Sequence, residues 1–215
     1  MLISYIKRKP LRLPYWNYSN YGSYFVTLCV HNWKHLFGNV LGQKIILNDV
    51  GRMTQHWWNE IPKTFPNIDL DSFIIMPNHI HGIIHIKNVE QPPCGLPVPQ
   101  CNVVPVPQCA ITSASQYDVV PVPQYDMVPA GHRGPALRPA LGDIVGWFKS
   151  IVVNTYGNYV KKNQWQPYEN HLWQYRYYDH VIRNENDLLR IKQYILDNPY
   201  RWRNDRFYQP KTDGA

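Results

Sequence analysis

Two histidines, His79 and His81, stand one residue apart in the run FIIMPNHIHGIIHI from Phe73 to Ile86. Along a strand, residues i and i+2 project from the same face, so both imidazoles point the same way. Two imidazoles side by side on a rigid strand make half of a metal site. Ile80, Ile83, Ile84 and Ile86 supply the apolar backing that holds such rings still. The pattern alone is a weak signal, because two histidines at a strand start, one in the core and one wet, give the same spacing.

A second group that could do chemistry lies near the C-terminus, in ENDLLRIKQYILDNP. Asn184 caps a helix over Glu185 to about Asp197, stopped by Asn198-Pro199. Leu188, Ile191 and Ile195 form its core-facing stripe, and Tyr194 sits beside that stripe. Asn198 is four residues after Tyr194 and Arg190 four before it, so the three share a face. They could present a nucleophile, a third metal ligand and a phosphate clamp. A boundary tyrosine packed on a sheet, with Asn198 as a C-terminal cap, fits the same pattern in a chain of 16 tyrosines.

The elements that must position these groups can be read in order. Residues 1–20 form a basic, aromatic arm with little periodicity. Ser23 to Val30 reads as a buried strand, and Phe37 to Leu47 as a hairpin around Gly42 that ends in KIIL. Asn48 caps a helix to about Ile61, ended by Pro62 and Pro66. Asp69 to Ile75 and His79 to Ile86 make two strands around the Pro-Asn turn. Ile144, Trp147, Phe148, Ile151, Val152 and Tyr156 mark a helix that starts near Gly142 and closes at Gly157. A Trp/Tyr/His-rich segment, Trp165 to His180, precedes the last helix.

Between Gln91 and Ala140 the composition changes abruptly. Eleven of the chain's 19 prolines fall there, and VVPVPQ occurs at Val103 and again at Val119. Such a repeat cannot form a helix or a central strand, and it reads as an extended or disordered insertion within a single domain spanning residues 1–215. Without it, the order of elements suits an α+β fold. That fold is a ferredoxin-like antiparallel sheet with helices on one face, the histidines on a central strand and Tyr194 on a C-terminal helix.

At 215 residues and 44% hydrophobic content the chain can bury a core, and no apolar run approaches a membrane span. The four cysteines, Cys29, Cys94, Cys101 and Cys109, fit no zinc or redox spacing and read as reduced thiols of a cytoplasmic protein. The net charge of +7 is uneven: no acid precedes Asp49, whereas Lys7, Arg8, Lys9, Arg12, Lys34 and Lys44 do. Cations interleaved with 14% aromatic residues suit single-stranded nucleic acid, with phosphates on the charges and unpaired bases on the rings. Lys7, Arg8, Lys9 and Arg12 in the arm, with Lys149, Arg183 and Arg190, are the candidate DNA contacts.

The segment PNHIHGIIHI resembles the histidine-hydrophobic-histidine motif of the HUH single-strand nucleases. The ordered set SYFVTLCVHN, LNDVGR, FIIMPNHIHGI, GWFKS, LWQYRYYDHVIRNENDL and YILDNPYRW is similar to the REP-associated tyrosine transposases, within the single-tyrosine HUH superfamily. The likeness covers nearly everything except the Pro-rich insertion. It implies that His79 and His81 bind a divalent metal, Mg²⁺ or Mn²⁺, with Asn198 as third ligand. It makes Tyr194 the nucleophile, ahead of Tyr175, Tyr177 and Tyr178, which match the family's Trp-Gln-x-x-Tyr-Tyr segment. The implied activity is cleavage and rejoining of single-stranded DNA beside REP-like hairpins through a 5′-phosphotyrosine, and the likeness leaves a homodimer open. Three other readings fit parts of the pattern. One is a zinc hydrolase using His79, His81 and His85, another a hairpin binder of the same fold without catalysis, and the third a nicking or relaxase-type relative.

Overall fold

The computed structural model describes residues 13, 15–88 and 139–210. Gly22–Cys29 forms β1, and Gly38–Leu41 and Lys44–Leu47 form the hairpin strands β2 and β3. The hairpin's two-residue turn holds Gly42 and Gln43 at φ of 53° and 68°, the left-handed pair that matches strand twist. Asp49–Asn59 is α1, Ile61–Thr64 the single turn α2, Ile68–Ile75 β4 and His79–Ile86 β5. Leu141–Lys161 is α3, Tyr178–Ile182 β6 and Glu185–Asp197 α4.

Four strands make one sheet in the order β4-β5-β1-β6, every neighbour antiparallel, while β2 and β3 stand apart as a two-stranded sheet. With the hairpin set aside, the chain runs β-α-β-β-α-β and then α4, which is the split βαβ arrangement of ferredoxin-like folds. The α+β class is as the sequence indicates, and β5, which carries His79 and His81, lies between β4 and β1.

The helices, however, cover both faces rather than one. Even-numbered Ile80, Ile84 and Ile86 of β5 join Met53, Trp58, Ile144 and Phe148 from α1 and α3 in the larger core. Gly82 lies on that side because nothing larger fits: a Cβ there would fall 2.3 Å from Cζ2 of Trp58. On the opposite face, Ile74, Ile83 and Ile182 of the sheet pack on Ile191 and Ile195 of α4. The strand period of two therefore sends His79, His81 and His85 to the α4 side. The apolar stripe of α4 was legible in the sequence, but the face it would cover was not.

Three element boundaries also differ from expectation. The first long helix ends at Asn59, and Pro62 opens the next turn, where its missing N–H costs nothing. Helix α3 continues past Gly157 to Lys161, because Tyr159 and Val160 extend its packed stripe and outweigh one glycine. The aromatic segment after Trp165 contributes the edge strand β6, which pairs with β1.

Lys7, Arg8, Lys9 and Arg12 lie outside the described residues, as does the Pro-rich insertion except for its last two residues. Of those, Pro139 is buried, and the Ala140 N–H donates to the Asp143 carboxylate at 2.9 Å. The end of the N-terminal arm is tied down rather than free. Tyr18 is buried in the core, and its carbonyl accepts from the Leu141 N–H at 3.0 Å.

Candidate active site

The site forms where β5 leaves the Met76-Pro77-Asn78 turn and α4 crosses its odd-numbered face. His79 and His81 are fully buried, and their Nε2 atoms lie 3.1 Å apart. Their outer nitrogens are anchored. His79 Nδ1 is 2.8 Å from Asn78 Oδ1, and His81 Nδ1 is 2.8 Å from the hydroxyl of Thr27, its cross-strand partner on β1. The Asn78 amide group donates to the carbonyls of Trp33 at 3.2 Å and Phe207 at 2.8 Å. Its oxygen is therefore the acceptor, His79 Nδ1 carries the ring proton, and His79 Nε2 presents a lone pair.

The Tyr194 hydroxyl reaches from α4 to within 3.3 Å of His81 Nε2, and its ring meets Phe25 edge-on. Asn198 is buried one turn later; its amide nitrogen donates to Asp205 Oδ2 at 3.2 Å, while its Oδ1 is buried with no hydrogen-bond partner. Asp205 follows a short 3-10 turn, Trp202–Asn204, and its Oδ1 accepts the Phe207 N–H at 2.6 Å. Ligand atoms of His79, His81 and Asp205 all lie within 4.8 Å of one another, so these three could hold a metal ion.

The donor set fits a divalent cation. The nitrogens' separation is that of two neighbouring ligands each about 2.1 Å from one ion. A carboxylate and an unsatisfied amide oxygen stand beside them. Asp205 was missed by sequence reasoning: it sits in an irregular segment seven residues after Asn198, where neither helical nor strand spacing relates it to the histidines. A lone acid in the Trp/Arg-rich stretch RWRNDRF was its only signal.

The electrostatics suit neutral, ligating imidazoles. Burial first, and then the neighbouring Arg206 charge, push His81 down to about 3. Burial, His81 and Arg206 hold His79 well below the ordinary histidine value. Burial raises the Tyr194 phenol, as does the Asp205 charge, with partial offset from Arg206 and the Asn198 amide. Burial pushes the free Cys29 thiol up to about 12, so it is inert.

The other candidates fall in different places. His85 is held between Ser23 Oγ at 2.6 Å and Asp71 Oδ2 at 3.1 Å, and it does not join the other two histidines, which removes the geometric basis for the three-histidine hydrolase. Lys149 turns inward and donates to the Gln174 carbonyl at 2.6 Å. Arg183 is exposed, and Arg190 is exposed and ion-paired with Asp187. Tyr175 is 96% exposed, whereas Tyr178 sits on β6 across from Thr27, in the row next to His81.

Fold and site together describe a ferredoxin-like α+β protein with a buried His-x-His pair, a nearby carboxylate and a tyrosine hydroxyl in one pocket. No protein-family model matches the chain. It is 33% identical over 201 residues to an uncharacterised protein of Haemophilus influenzae, spanning 94% of this chain and 93% of that one. The chain belongs to the same family as that Haemophilus protein. Among solved structures, a REP-associated tyrosine transposase bound to a REP hairpin is similar at a TM-score of 0.44 and 15% identity, covering 89% of this chain and 72% of the other. No helix among the described residues is long and apolar enough to cross a membrane.

Proposed function

We propose that this chain is a metal-dependent single-stranded DNA transposase that cleaves and rejoins strands near hairpins through a 5′-phosphotyrosine on Tyr194. The observation that supports this most is the Tyr194 hydroxyl 3.3 Å from His81 Nε2, in the pocket formed by His79, His81 and Asp205. A hydroxyl nucleophile beside a candidate metal site is the pairing that phosphodiester transfer needs. The resemblance of the ordered motifs to those of REP-associated tyrosine transposases supports this substrate class, and the acid-free, basic and aromatic first 48 residues suit unpaired DNA.

His79, His81 and Asp205 would hold the ion, with Asn198 Oδ1 as a further oxygen ligand. A divalent cation there, Mg²⁺ or Mn²⁺, supplies positive charge against the phosphate oxygens and the developing phenolate. The chain's own residues do the rest. Tyr194 Oη forms a bond to phosphorus as the bond from phosphorus to the 3′-oxygen breaks. The phenol proton is released, and the departing 3′-oxygen takes one up. The ester retained on Tyr194 lets a second 3′-hydroxyl reverse the step without ATP. Thr27 and Asn78 keep the two rings aimed. Lys7, Arg8, Lys9, Arg12 and Arg183 are the proposed phosphate contacts along the strand.

Incubating the protein with labelled hairpin DNA bearing single-stranded flanks tests the reading. A denaturation-resistant adduct should form with Mn²⁺ or Mg²⁺ and fail with chelator. His79→Ala and His81→Ala should lose it while still binding the hairpin. Adduct formation that ignores the metal would refute the metal assignment, and no adduct at all would leave only a binding protein.

A further inference from the structure

Asp205 is followed by a cation that neither the sequence motifs nor the metal donors explain. The Arg206 side chain is exposed, and its guanidinium carbon lies 4.3 Å from the Phe207 ring centre and 5.2 Å from that of Tyr178. Phe207 is buried between the indole of Trp33, stacked at 4.9 Å, and the ring of His79 at 4.8 Å. The backbone on both sides of Arg206 is pinned. The Asp205 side chain accepts the Phe207 N–H, the Phe207 carbonyl accepts from Asn78, and the Tyr208 N–H donates to the Asp205 carbonyl at 2.9 Å. Arg206 thus projects from a rigid shelf one aromatic ring away from the histidine pair. Among the described residues, no carboxylate forms an ion pair with it, in contrast to Arg190, Arg201 and Arg52.

We infer that Arg206 is a catalytic residue that clamps the non-bridging oxygens of the scissile phosphate while Tyr194 attacks. This rests on the transposase reading above. A guanidinium lying on aromatic faces keeps its N–H fork free at the edge, and that fork matches two phosphate oxygens. Position supports the same conclusion. Arg206 directly follows the candidate ligand Asp205, and the Phe207 ring under its guanidinium lies 4.8 Å from the ring of His79. In phosphoryl transfer, negative charge spreads over the non-bridging oxygens in the transition state, where a fixed donor acts most strongly. Arg190, the clamp suggested by helical spacing, is instead engaged with Asp187.

The test compares wild type, Arg206→Ala and Arg206→Lys on hairpin DNA and on the same DNA carrying a methylphosphonate at the scissile position, which removes one charged oxygen. On natural DNA, Arg206→Ala should slow adduct formation by about 100- to 1,000-fold, as for loss of one transition-state donor. Arg206→Lys should recover part of the rate, because it keeps the charge but not the fork. On the methylphosphonate the penalty for Arg206→Ala should shrink to within about threefold, because the partner oxygen is gone. A readout without turnover uses metal-free DNA binding by Tyr194→Phe with and without Arg206→Ala. The slope of log affinity against log salt should fall by about 0.7 for one single-strand phosphate contact. Calorimetry with Mn²⁺ alone should show no weakening in Arg206→Ala. Equal penalties on both substrates, a wild-type rate, an unchanged salt slope or weakened Mn²⁺ binding would each overturn the assignment. If wild type itself forms no adduct, the transposase reading fails, and the catalytic role of Arg206 with it.

Discussion

Thr27 makes no contact with substrate in the proposed reaction, yet replacing it should cripple the metal site. Its hydroxyl is 2.8 Å from His81 Nδ1, and both groups are fully buried. With His79 Nε2 presenting a lone pair 3.1 Å from His81 Nε2, the metal-free pocket needs the His81 proton on Nε2, and Thr27 donates to Nδ1. Ligation needs the other tautomer, with the proton on Nδ1 and the Thr27 oxygen accepting. A hydroxyl can serve both states; valine, of similar shape, serves neither. Thr27→Val should therefore cost about 1–3 kcal/mol of folding stability for the orphaned ring nitrogen. The loaded state suffers more, since a bond from a cation-polarised ring N–H is roughly twice as strong as a neutral one. Mn²⁺ affinity should accordingly fall about 10- to 100-fold, as when partners of ligating histidines are removed elsewhere. Thr27→Ser should restore it. Calorimetric titration of folded protein measures this directly. Unchanged Mn²⁺ affinity in Thr27→Val, with the protein folded, would refute the tautomer reasoning.

Other consequences follow from the same geometry. In chelator, stability should fall as pH drops below about 6.5. His81 is held at about 3 by burial and Arg206, so the unfolded chain takes up a proton that the folded one does not. That single ring should cost about 2 kcal/mol between about pH 7 and about pH 5 in urea unfolding, and a flat profile would contradict its burial as a neutral group. Asp71 receives Lys192 of α4 at 2.8 Å and His85 at 3.1 Å; burial raises its carboxyl, but these bonds outweigh that and hold it below the usual range. Asp71→Asn should lower stability by about 1 kcal/mol in thermal melts, and no change would mean the helix is held by its apolar stripe alone. Neutralising Lys7, Arg8, Lys9 and Arg12 together should flatten the salt dependence of hairpin binding by up to roughly three units, if all four touch single-strand phosphates. An unchanged slope would place the DNA elsewhere.

What the sequence made legible was the local periodicity and its punctuation. Strand β5 was visible because β-branched residues flank a Pro-Asn turn, and α4 because Asn184 and Asn198-Pro199 bracket one apolar stripe. From these two elements His79, His81, Tyr194 and Asn198 could all be named. The rest depended on contacts between distant segments. Strand β6 is five residues long and begins within an aromatic segment without a clean alternation, so only its pairing with β1 defines it. The face covered by α4 depends on strand parity and on Trp58 filling the space above Gly82. Asp205 and Arg206 lie beyond the last regular helix, where no period links them to the histidines, and folding alone brings them to the site.

The central claim is that Tyr194 is the nucleophile. Tyr194→Phe removes one oxygen from a half-buried ring, so folding and hairpin binding should survive while the covalent DNA adduct disappears. Mass spectrometry of the wild-type adduct after proteolysis should find the nucleotide on the peptide containing Tyr194. Finding it on Tyr178, Tyr177 or Tyr175, or full cleavage by the Phe variant, would contradict the account.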